Sequence, residues 1–325
     1  MYDVITIGSA TRDVFLVSKA FRIIKSSQFP TGAGECVSLG SKIEVDKLVL
    51  TTGGGGTNSA VTFSSLGFNT AVITRVGDDA PGKDVIDDLK RHKVKTALVK
   101  IIRGGDTGYS ALLTTLTGER SVLVHRGVSS EFTPKDISWS KLKARWIYMT
   151  SLAGNVALAL RIVRAAKKAG IRLAYNPGSS ELKQGLRAMA PIMKHLTVLN
   201  LNLEEAQVLA RSKTKDPEVL CKKIALPGLT LIITDGQNGA YAHLDGTTWF
   251  VRPHGIKTIS RTGAGDAFGS GLVAALANDM GIDDALRVGT INAESVIQSY
   301  GAKVGILTSW PSKSHMTKTK VRILK

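Results

Sequence analysis

The sequence predicts an α/β fold: a mostly parallel central sheet with helices on both faces, closed by a small β lid. From about residue 144 onward, short apolar runs alternate with helical patterns of about 10–15 residues, which is typical of parallel strands joined by crossover helices. Residues 13–50 instead show no helical period, and alternating segments such as 42–50 indicate strands of a smaller sheet. We expect this smaller sheet, from parts of 13–50 and 98–125, to form the lid on the α/β body.

The individual elements follow from apolar periodicity and from the glycines and capping residues at their ends. Strands are predicted over residues 2–8, 70–77, 144–150, 171–177, 195–202 and 229–236. Helices are predicted over 57–67, 82–94, 155–168 and 204–210, with two more that begin at Gly265 and near Asp283. No repeat or interdomain linker interrupts this order, so we predict a single domain over residues 1–325.

The composition is typical of a folded protein of the cytoplasm. Of 325 residues, 43% are hydrophobic and 21% are charged, and the two cysteines, Cys36 and Cys221, have no metal-ligand spacing. We find no signal-peptide pattern and no apolar run near the roughly 18 residues that span a bilayer, so we expect no membrane partner. The net charge is +17, but only residues 313–325 form a continuous basic tail. Because the other basic residues are spread along the chain, we expect solvated surfaces rather than nucleic-acid binding.

The first motif that points to a ligand is a four-glycine loop at residues 53–56, which leads into a helix through Thr57 and Asn58. Without side chains in the way, a ligand can approach this backbone closely. Asn58 adds a donor and an acceptor suited to the hydroxyls of a polyol. A flexible turn is the alternative, but four consecutive glycines lose much chain entropy when they are ordered, which favours a ligand site.

The second motif is the segment TGAGDAFGSG at residues 262–271, which opens a helix. Amides without partners at a helix start bind anions such as a phosphoryl group in transit. Asp266 would repel a phosphate bound there, unless its carboxylate faces the attacking hydroxyl and accepts the proton. A helix-dipole role is the alternative, and the pattern alone leaves both open. The loop lies far from the first strand, which disfavours a dinucleotide fingerprint.

A third segment, GDDAPGKD at residues 77–84, fits the phosphate-loop spacing GxxxxGK except at its last position. That motif requires Ser or Thr there to hold magnesium, and Asp84 occupies the position. Asp78 and Asp79 would also place negative charge inside the phosphate cradle. We therefore reject a phosphate loop.

Together these segments resemble the ribokinase-like, or PfkB, family of carbohydrate kinases over about residues 2–308. GGGGTNSAVTFSSLG resembles the N-terminal signature of that family and TGAGDAFGSG the C-terminal one, with weaker matches at 76–94, 176–178, 202–205 and 234–236. The resemblance implies a three-layer αβα body with a small β lid. It also implies phosphorylation of a hydroxyl, a primary alcohol of a small sugar, with ATP and Mg²⁺. Lids of this family often meet in dimers, which suggests a homodimer.

The resemblance also implies roles for individual residues. Asp13, Gly54, Gly55 and Asn58 correspond to substrate-binding residues, Gly263, Ala264 and Gly265 to the anion hole, and Asp266 to the catalytic base. Asn202, Thr234, Gly236 and Gly239 correspond to ATP-binding residues, and Glu205 to a residue that places magnesium indirectly. From the residues themselves, a turn role for Asp13 and a capping role for Glu205 stay open. An Asn or His that packs near adenine in the family falls around residues 290–292.

Departures from the family pattern bear on cofactors and substrate. Ser260 and Arg261 stand where the family usually has Asp-Thr, so we do not expect a tight potassium site. Gly55 stands where ribokinases often have lysine, and residues 18–45 are longer and less regular than a lid hairpin. A nucleoside kinase on the same fold is the main alternative. An already phosphorylated sugar held by Arg126, and a non-catalytic sugar-sensing or nucleic-acid-associated protein, are the others.

Overall fold

The computed structural model describes residues 1–29, 31–117 and 119–324. Pro30, Gly118 and Lys325, which belong to the predicted lid and basic tail, lie outside the described residues. The strands are β1 (Tyr2–Ile7), β2 (Thr11–Val17), β3 (Arg22–Lys25), β4 (Ala33–Cys36), β5 (Lys47–Gly53), β6 (Thr70–Ile73), β7 (Arg75–Gly77), β8 (Lys100–Ile102), β9 (Gly108–Thr114), β10 (Arg120–His125), β11 (Ala144–Thr150), β12 (Arg172–Asn176), β13 (Val198–Asn202), β14 (Thr230–Thr234), β15 (Ala240–Leu244), β16 (Thr247–Val251) and β17 (Val321–Leu324). The helices are α1 (Gly55–Ser65), α2 (Ala80–Arg91), α3 (Val156–Lys168), α4 (Ser179–Leu182), α5 (Gly185–Met193), α6 (Leu203–Ala210), α7 (Pro217–Ile224), α8 (Ala264–Ala277), α9 (Ile282–Val296) and α10 (Lys313–Lys318).

The large sheet has the order β17-β16-β15-β14-β13-β12-β11-β1-β6. Its strands from β14 to β6 pair in parallel, and β15, β16 and β17 continue the sheet antiparallel. Alternate residues of β1 show how both faces are covered, because Ile5 belongs to the core cluster that contains α3 side chains such as Ile162, whereas Val4 belongs to the cluster that contains α8 side chains such as Phe268. The predicted α/β fold with a mostly parallel sheet is confirmed.

A second sheet, which we call the lid sheet, has the order β10-β9-β2-β5. In its register Asp13 lies opposite Thr51 on one side and Ser110 on the other. Residues between β2 and β5, which the sequence left without a placement, contribute the separate hairpin β3–β4. The lid sheet therefore carries Asp13 on a strand that leaves the end of β1 directly.

Two predicted elements differ in detail. The strand expected over residues 70–77 is divided at Thr74, because β6 pairs with β1 whereas β7 pairs with β8. Helix α1 begins at Gly55 rather than Thr57, since Gly54 takes the N-cap position with a φ of 95° and the following glycines are already helical.

The basic segment at the C-terminal end of the sequence is folded. Residues 313–318 form α10, and Val321 pairs with Val251 as β17 joins the edge of the large sheet beside β16. Within the described ranges, none of the helices combines the length and apolar character that crossing a bilayer requires.

Candidate active site

The four-glycine loop packs against the turn that joins β1 to β2. A Cβ on Gly54 would lie 2.5 Å from the Ser9 carbonyl oxygen, and one on Gly56 would lie 2.7 Å from the Gly8 carbonyl carbon. The Gly56 amide donates to the Ser9 carbonyl at 3.1 Å. Both the positive φ of Gly54 and this close backbone approach require glycine, so the loop is a fixed surface rather than a flexible turn.

Asn58 and Asp266 meet at the first turns of α1 and α8. The Asn58 Nδ2 group donates to Asp266 Oδ2 at 2.8 Å, across 208 positions of the chain. Asn58 is 4% exposed, and its Oδ1 atom has no hydrogen-bond partner in the described part of the chain. One side of the amide therefore orients the carboxylate, and the oxygen on the other side is a buried acceptor without a hydrogen-bond partner in the described structure.

The N-terminus of α8 has the features of an anion site. Gly263 is the N-cap with a φ of 83°, and a Cβ there would lie 2.4 Å from the Ala302 Cβ. Gly265 faces open space, whereas the Ala264 amide donates weakly to the Arg261 carbonyl at 3.3 Å. Because the dipole of the 14-residue helix points its positive end here, these amides suit a phosphoryl group.

Asp13 lies beside the same loop. Its side chain is 5% exposed and accepts from the Thr11 hydroxyl at 2.9 Å, and a Cβ on Gly53 would overlap its Oδ2 atom. Burial raises the pKa of Asp13, while hydrogen bonds from Thr11 and Ser110 and the charge of Lys303 oppose the rise. The structure thus places Asp13 against the four-glycine loop, where the predicted substrate residues Gly54, Gly55 and Asn58 also lie.

Two opposing sets of interactions determine the pKa of Asp266. Burial raises its pKa, although the side chain is still partly accessible, and the negative charge of Asp13 raises it further. The hydrogen bond from Asn58 and the charge of Lys303 act in the opposite direction. Asp266 therefore takes up a proton more readily than an exposed aspartate, which suits a general base.

Asn202 and Glu205 form a reciprocal cap at the start of α6. The Glu205 amide donates to Asn202 Oδ1 at 2.8 Å, and the Asn202 amide donates to Glu205 Oε2 at 2.9 Å. Burial raises the pKa of Glu205, and the charge of Asp266 adds to the rise. The capping role that the sequence left open for Glu205 is therefore present.

Thr234, Gly236 and Gly239 lie at the carboxyl end of β14, next to Asn202. Thr234 pairs with Asn202 in the sheet register, and Gly236 begins a short 3₁₀ turn. Gly239 has a φ of 119°, and a Cβ there would lie 2.4 Å from the Val251 carbonyl oxygen. In a parallel sheet, this carboxyl edge is where ligands bind.

A cavity of about 490 Å³ lies between α9, α10 and the loop after β16, and sequence reasoning missed it. His254 Nδ1 and Glu294 Oε2 are 2.7 Å apart at its wall, and Gln298 also lines it. The loop hydrogen-bonds to the end of α9, with the Ile259 amide donating to the Ile297 carbonyl at 2.8 Å, before it reaches the anion hole. No local motif marks these residues, because only the packing of α9 and α10 brings them together.

Of the residues expected near adenine, only Ile291 lines this cavity. Asn292 is fully buried and donates to the Ala267 carbonyl at 2.8 Å, and Thr290 donates to the Leu286 carbonyl at 2.8 Å. The polar side chains of residues 290 and 292 are therefore used within the core.

Arg126, the residue considered for holding a phosphorylated sugar, is exposed in the turn after β10.

The rejected phosphate-loop segment has a structural role. Asp79 caps α2 by accepting from the Gly82 amide at 2.9 Å, and it also accepts from the Thr107 amide at 2.8 Å. Its carboxylate occupies the place that a phosphate would need.

The residues present fit a magnesium ion that arrives with the donor. No cluster of three or more His, Cys, Asp and Glu able to hold a metal occurs among residues 1–29, 31–117 and 119–324. Mg²⁺ typically binds one or two carboxylates together with phosphate oxygens and waters. Burial and the negative charge of Asp266 both raise the pKa of Glu205, and a divalent cation beside these carboxylates would offset their repulsion.

Comparisons with known proteins agree with this fold. Ribokinase of Bacillus subtilis is 25% identical over 311 residues, which cover 95% of this chain and 97% of that protein. A ribokinase structure from Cryptococcus neoformans in complex with ADP has a TM-score of 0.74 at 21% identity, with 98% and 99% of the two chains covered. A Burkholderia thailandensis nucleoside kinase in complex with inosine has a TM-score of 0.75 at 17% identity, with 96% of each chain covered.

The fold and these relatives define a phosphotransferase that uses an alcohol group as acceptor. Residues 2–309 match the family described as pfkB family carbohydrate kinase, and the chain belongs to this family. It is a sugar or nucleoside kinase of the ribokinase type.

Proposed function

We propose that this kinase transfers the γ-phosphoryl group of Mg-ATP to a primary alcohol of a small sugar, with Asp266 as the general base. The observation that carries the proposal is the hydrogen bond from Asn58 to Asp266, which joins the four-glycine loop to the anion hole. A carboxylate oriented by the first loop can contact the acceptor alcohol. The amides beside it can bind the transferred phosphoryl group at the same time.

In the proposed reaction the substrate alcohol binds between Asp13 and Asn58. Asp266 accepts the alcohol proton as the oxygen attacks the γ-phosphorus, and the bond to the β-phosphate oxygen breaks to release ADP. The amides of residues 263–265 donate to the transferring group and offset its charge. Magnesium, when bound, neutralises charge on the donor phosphates, and Glu205 is the residue we assign to its placement.

We assign the donor to the carboxyl edge of β13 and β14 and to the cavity beyond it. Asn202, Thr234, Gly236 and Gly239 would border the phosphates and ribose, and the cavity with His254 and Glu294 at its wall would take the base. Its volume of about 490 Å³ is in the range of small-molecule sites. The ADP in the Cryptococcus ribokinase supports an adenine nucleotide as donor.

A nucleoside acceptor is the second candidate, and one feature of the lid sheet favours it. Val124 lies opposite Ser110, which lies opposite Asp13, so the three side chains share one face of the sheet. Val122 and Val124 on that face are 44% and 54% exposed, an apolar surface on which a base could pack. Inosine in the Burkholderia nucleoside kinase supports this candidate.

The test is a substrate panel with Mg-ATP and detection of ADP. Ribose, fructose, ketodeoxy sugars and nucleosides are assayed at equal concentrations, with thermal shift measured in parallel. ADP released only with free sugars supports the main proposal, and ADP released only with nucleosides supports the second. Absence of acceptor-dependent ADP with every compound, despite binding of Mg-ATP, would count against both.

The pH dependence of turnover is expected to show the raised pKa of Asp266. Because only the ionised carboxylate can accept a proton, kcat/KM should rise with pH through a pKa above the ordinary range of aspartate. Replacing Asp13 with asparagine removes a negative charge that faces Asp266, so this acid limb should move to lower pH. A limb that moves to higher pH in D13N would contradict the assignment.

We also propose that two copies pair through the outer face of the lid sheet, which we define by Leu48, Leu50 and Leu123. These side chains lie opposite Leu16, Val14 and Ala111 in the register, and each is more than half exposed. Burial of this apolar face against the same face of a second copy would remove it from water.

Replacing Leu50 with glutamate is expected to weaken the proposed homodimer at least about tenfold, measured by sedimentation equilibrium. Val208→Glu, on an exposed position of α6, is the matched control and should leave association unchanged. A wild-type protein that stays monomeric at high micromolar concentration would refute the dimer.

We make two further proposals, one about potassium and one about cellular location. Ser260 is buried beside the anion hole and offers an oxygen without charge, so we propose that turnover does not depend on potassium. Cys36 and Cys221 are both free thiols, which supports a reducing cytoplasmic location.

A further inference from the structure

Lys303 stands out because a lysine is seldom buried without a reason. In the described part of the chain it is the only buried lysine, with 6% of its surface exposed. It follows Ala302, which packs against Gly263, so the segment after α9 that carries Lys303 supports the start of α8. The signature motifs do not include it.

The ammonium group of Lys303 forms a triangle of hydrogen bonds with the side chains of Thr52 on β5 and Asp88 on α2. Its Nζ atom donates to the Thr52 hydroxyl at 2.6 Å and lies 3.1 Å from Asp88 Oδ2 on α2. The Thr52 hydroxyl in turn donates to Asp88 Oδ2 at 2.5 Å. Since Thr52 is followed directly by the four-glycine loop, this triangle fixes the strand from which the substrate loop begins.

The positive charge of Lys303 also acts on both site carboxylates. It opposes the rise in pKa that burial causes at Asp13 and at Asp266. The charged groups that face Lys303 are Asp88, Arg91 and His92 of α2, Asp13 of β2 and Asp266 of α8. Burial disfavours the charged form of Lys303, and its ion pair with Asp88 opposes that effect.

We propose that Lys303 is a positioning residue for the phosphoryl transfer: it ties β5 to the body through Thr52 and Asp88, and it supplies a fixed positive charge behind Asp13 and Asp266. This inference rests on the proposed function. The lysine contacts neither the acceptor nor the donor; it acts through the strand it holds and the charge it carries. It keeps two carboxylates in one site ionised together, as substrate binding and proton acceptance require.

The test compares two replacements at the same position that differ in charge. Lys303→Met removes the cation and keeps the length of the side chain, whereas Lys303→Arg keeps a cation that burial does not readily neutralise. For K303M we expect kcat/KM for the acceptor to fall about 10- to 100-fold, and the acid limb of its pH profile to move to higher pH. For K303R the limb should stay in place, whatever the loss of activity.

A merely structural role predicts losses in both variants without a difference between their acid limbs. The proposal is overturned if K303M keeps the wild-type limb, or if K303R moves it to higher pH by as much as K303M does. Lys303→Gln is a second neutral replacement should K303M fail to fold.

A readout without turnover separates this inference from the proposed function. Aspartate labelled with ¹³C at the side-chain carboxyl is titrated by NMR, with the Asp13 and Asp266 signals assigned from their loss in D13N and D266N. Both carboxylates should titrate at higher pH in K303M than in wild type. Unchanged titration of both groups overturns the inference even if the kinase activity is confirmed, and a shift supports it even if the substrate proposal fails.

Discussion

Replacing Asp266 with asparagine is expected to lower kcat by about 100- to 10,000-fold, because asparagine cannot accept the alcohol proton. The replacement has the same shape, and its amide can still contact Asn58, so the cleft should keep its form. KM for ATP should change little, since the anion-hole amides are untouched. Steady-state assays of ADP release with the best acceptor give both constants.

The control for this prediction is binding and stability of the same variant. Removing a buried ionisable group should leave the thermal unfolding midpoint close to that of the wild type, and acceptor binding by calorimetry should persist. A D266N protein that keeps near-normal kcat would show that another group takes the proton, and the general-base assignment would be wrong.

A Gly54→Ala replacement is expected to reduce kcat/KM for the acceptor by about 100-fold or more, because the backbone of the substrate loop has to move. Gly54 has a φ of 95°, which disfavours a side chain, and the added Cβ would lie 2.5 Å from the Ser9 carbonyl oxygen. Resolving that contact shifts the start of α1, which carries Asn58. Kinetics with saturating ATP and varied acceptor measure the loss.

Gly67 provides the matched control for Gly54. It has the same φ of 95°, but an added Cβ there meets no atom within 4 Å in the described structure. Gly67→Ala should therefore cost stability by about 1–2 kcal/mol from backbone strain while leaving kcat/KM unchanged. Equal catalytic loss in both variants would mean that strain in α1, rather than the loop contact at Ser9, controls activity.

Much of the fold could be predicted from the sequence because its signals are local. The alternation of apolar strands and amphipathic helices after residue 144 predicts β11 to β14 together with α3 and α6, but not α7. The division of the strand at Thr74 was missed, because a change of pairing partner leaves no mark on apolar periodicity. The helical start at Gly55 was missed because glycine is a poor helix former in isolation.

The candidate site was predictable only where a residue sits inside a motif. The two glycine-rich segments identified Asn58 and Asp266, but not the hydrogen bond that joins them. Lys303 escaped notice because nothing in the sequence GAKVG shows that this lysine is buried. His254 and Glu294 come from elements that only the sheet order and the packing of α9 bring together. Long-range contacts of this kind need the assembled structure.

The bond between Asn58 and Asp266 spans 208 positions, and β1 beside Asn58 lies between β11 and β6 in the assembled sheet. Neither half of the chain by itself therefore contains both parts of the proposed site. Two fragments made by a cut in the middle of the chain should each be inactive, and kinase activity should return only when they are mixed and refolded together. A damaged or partly folded molecule should therefore consume no ATP, because the site forms only when the whole chain is folded.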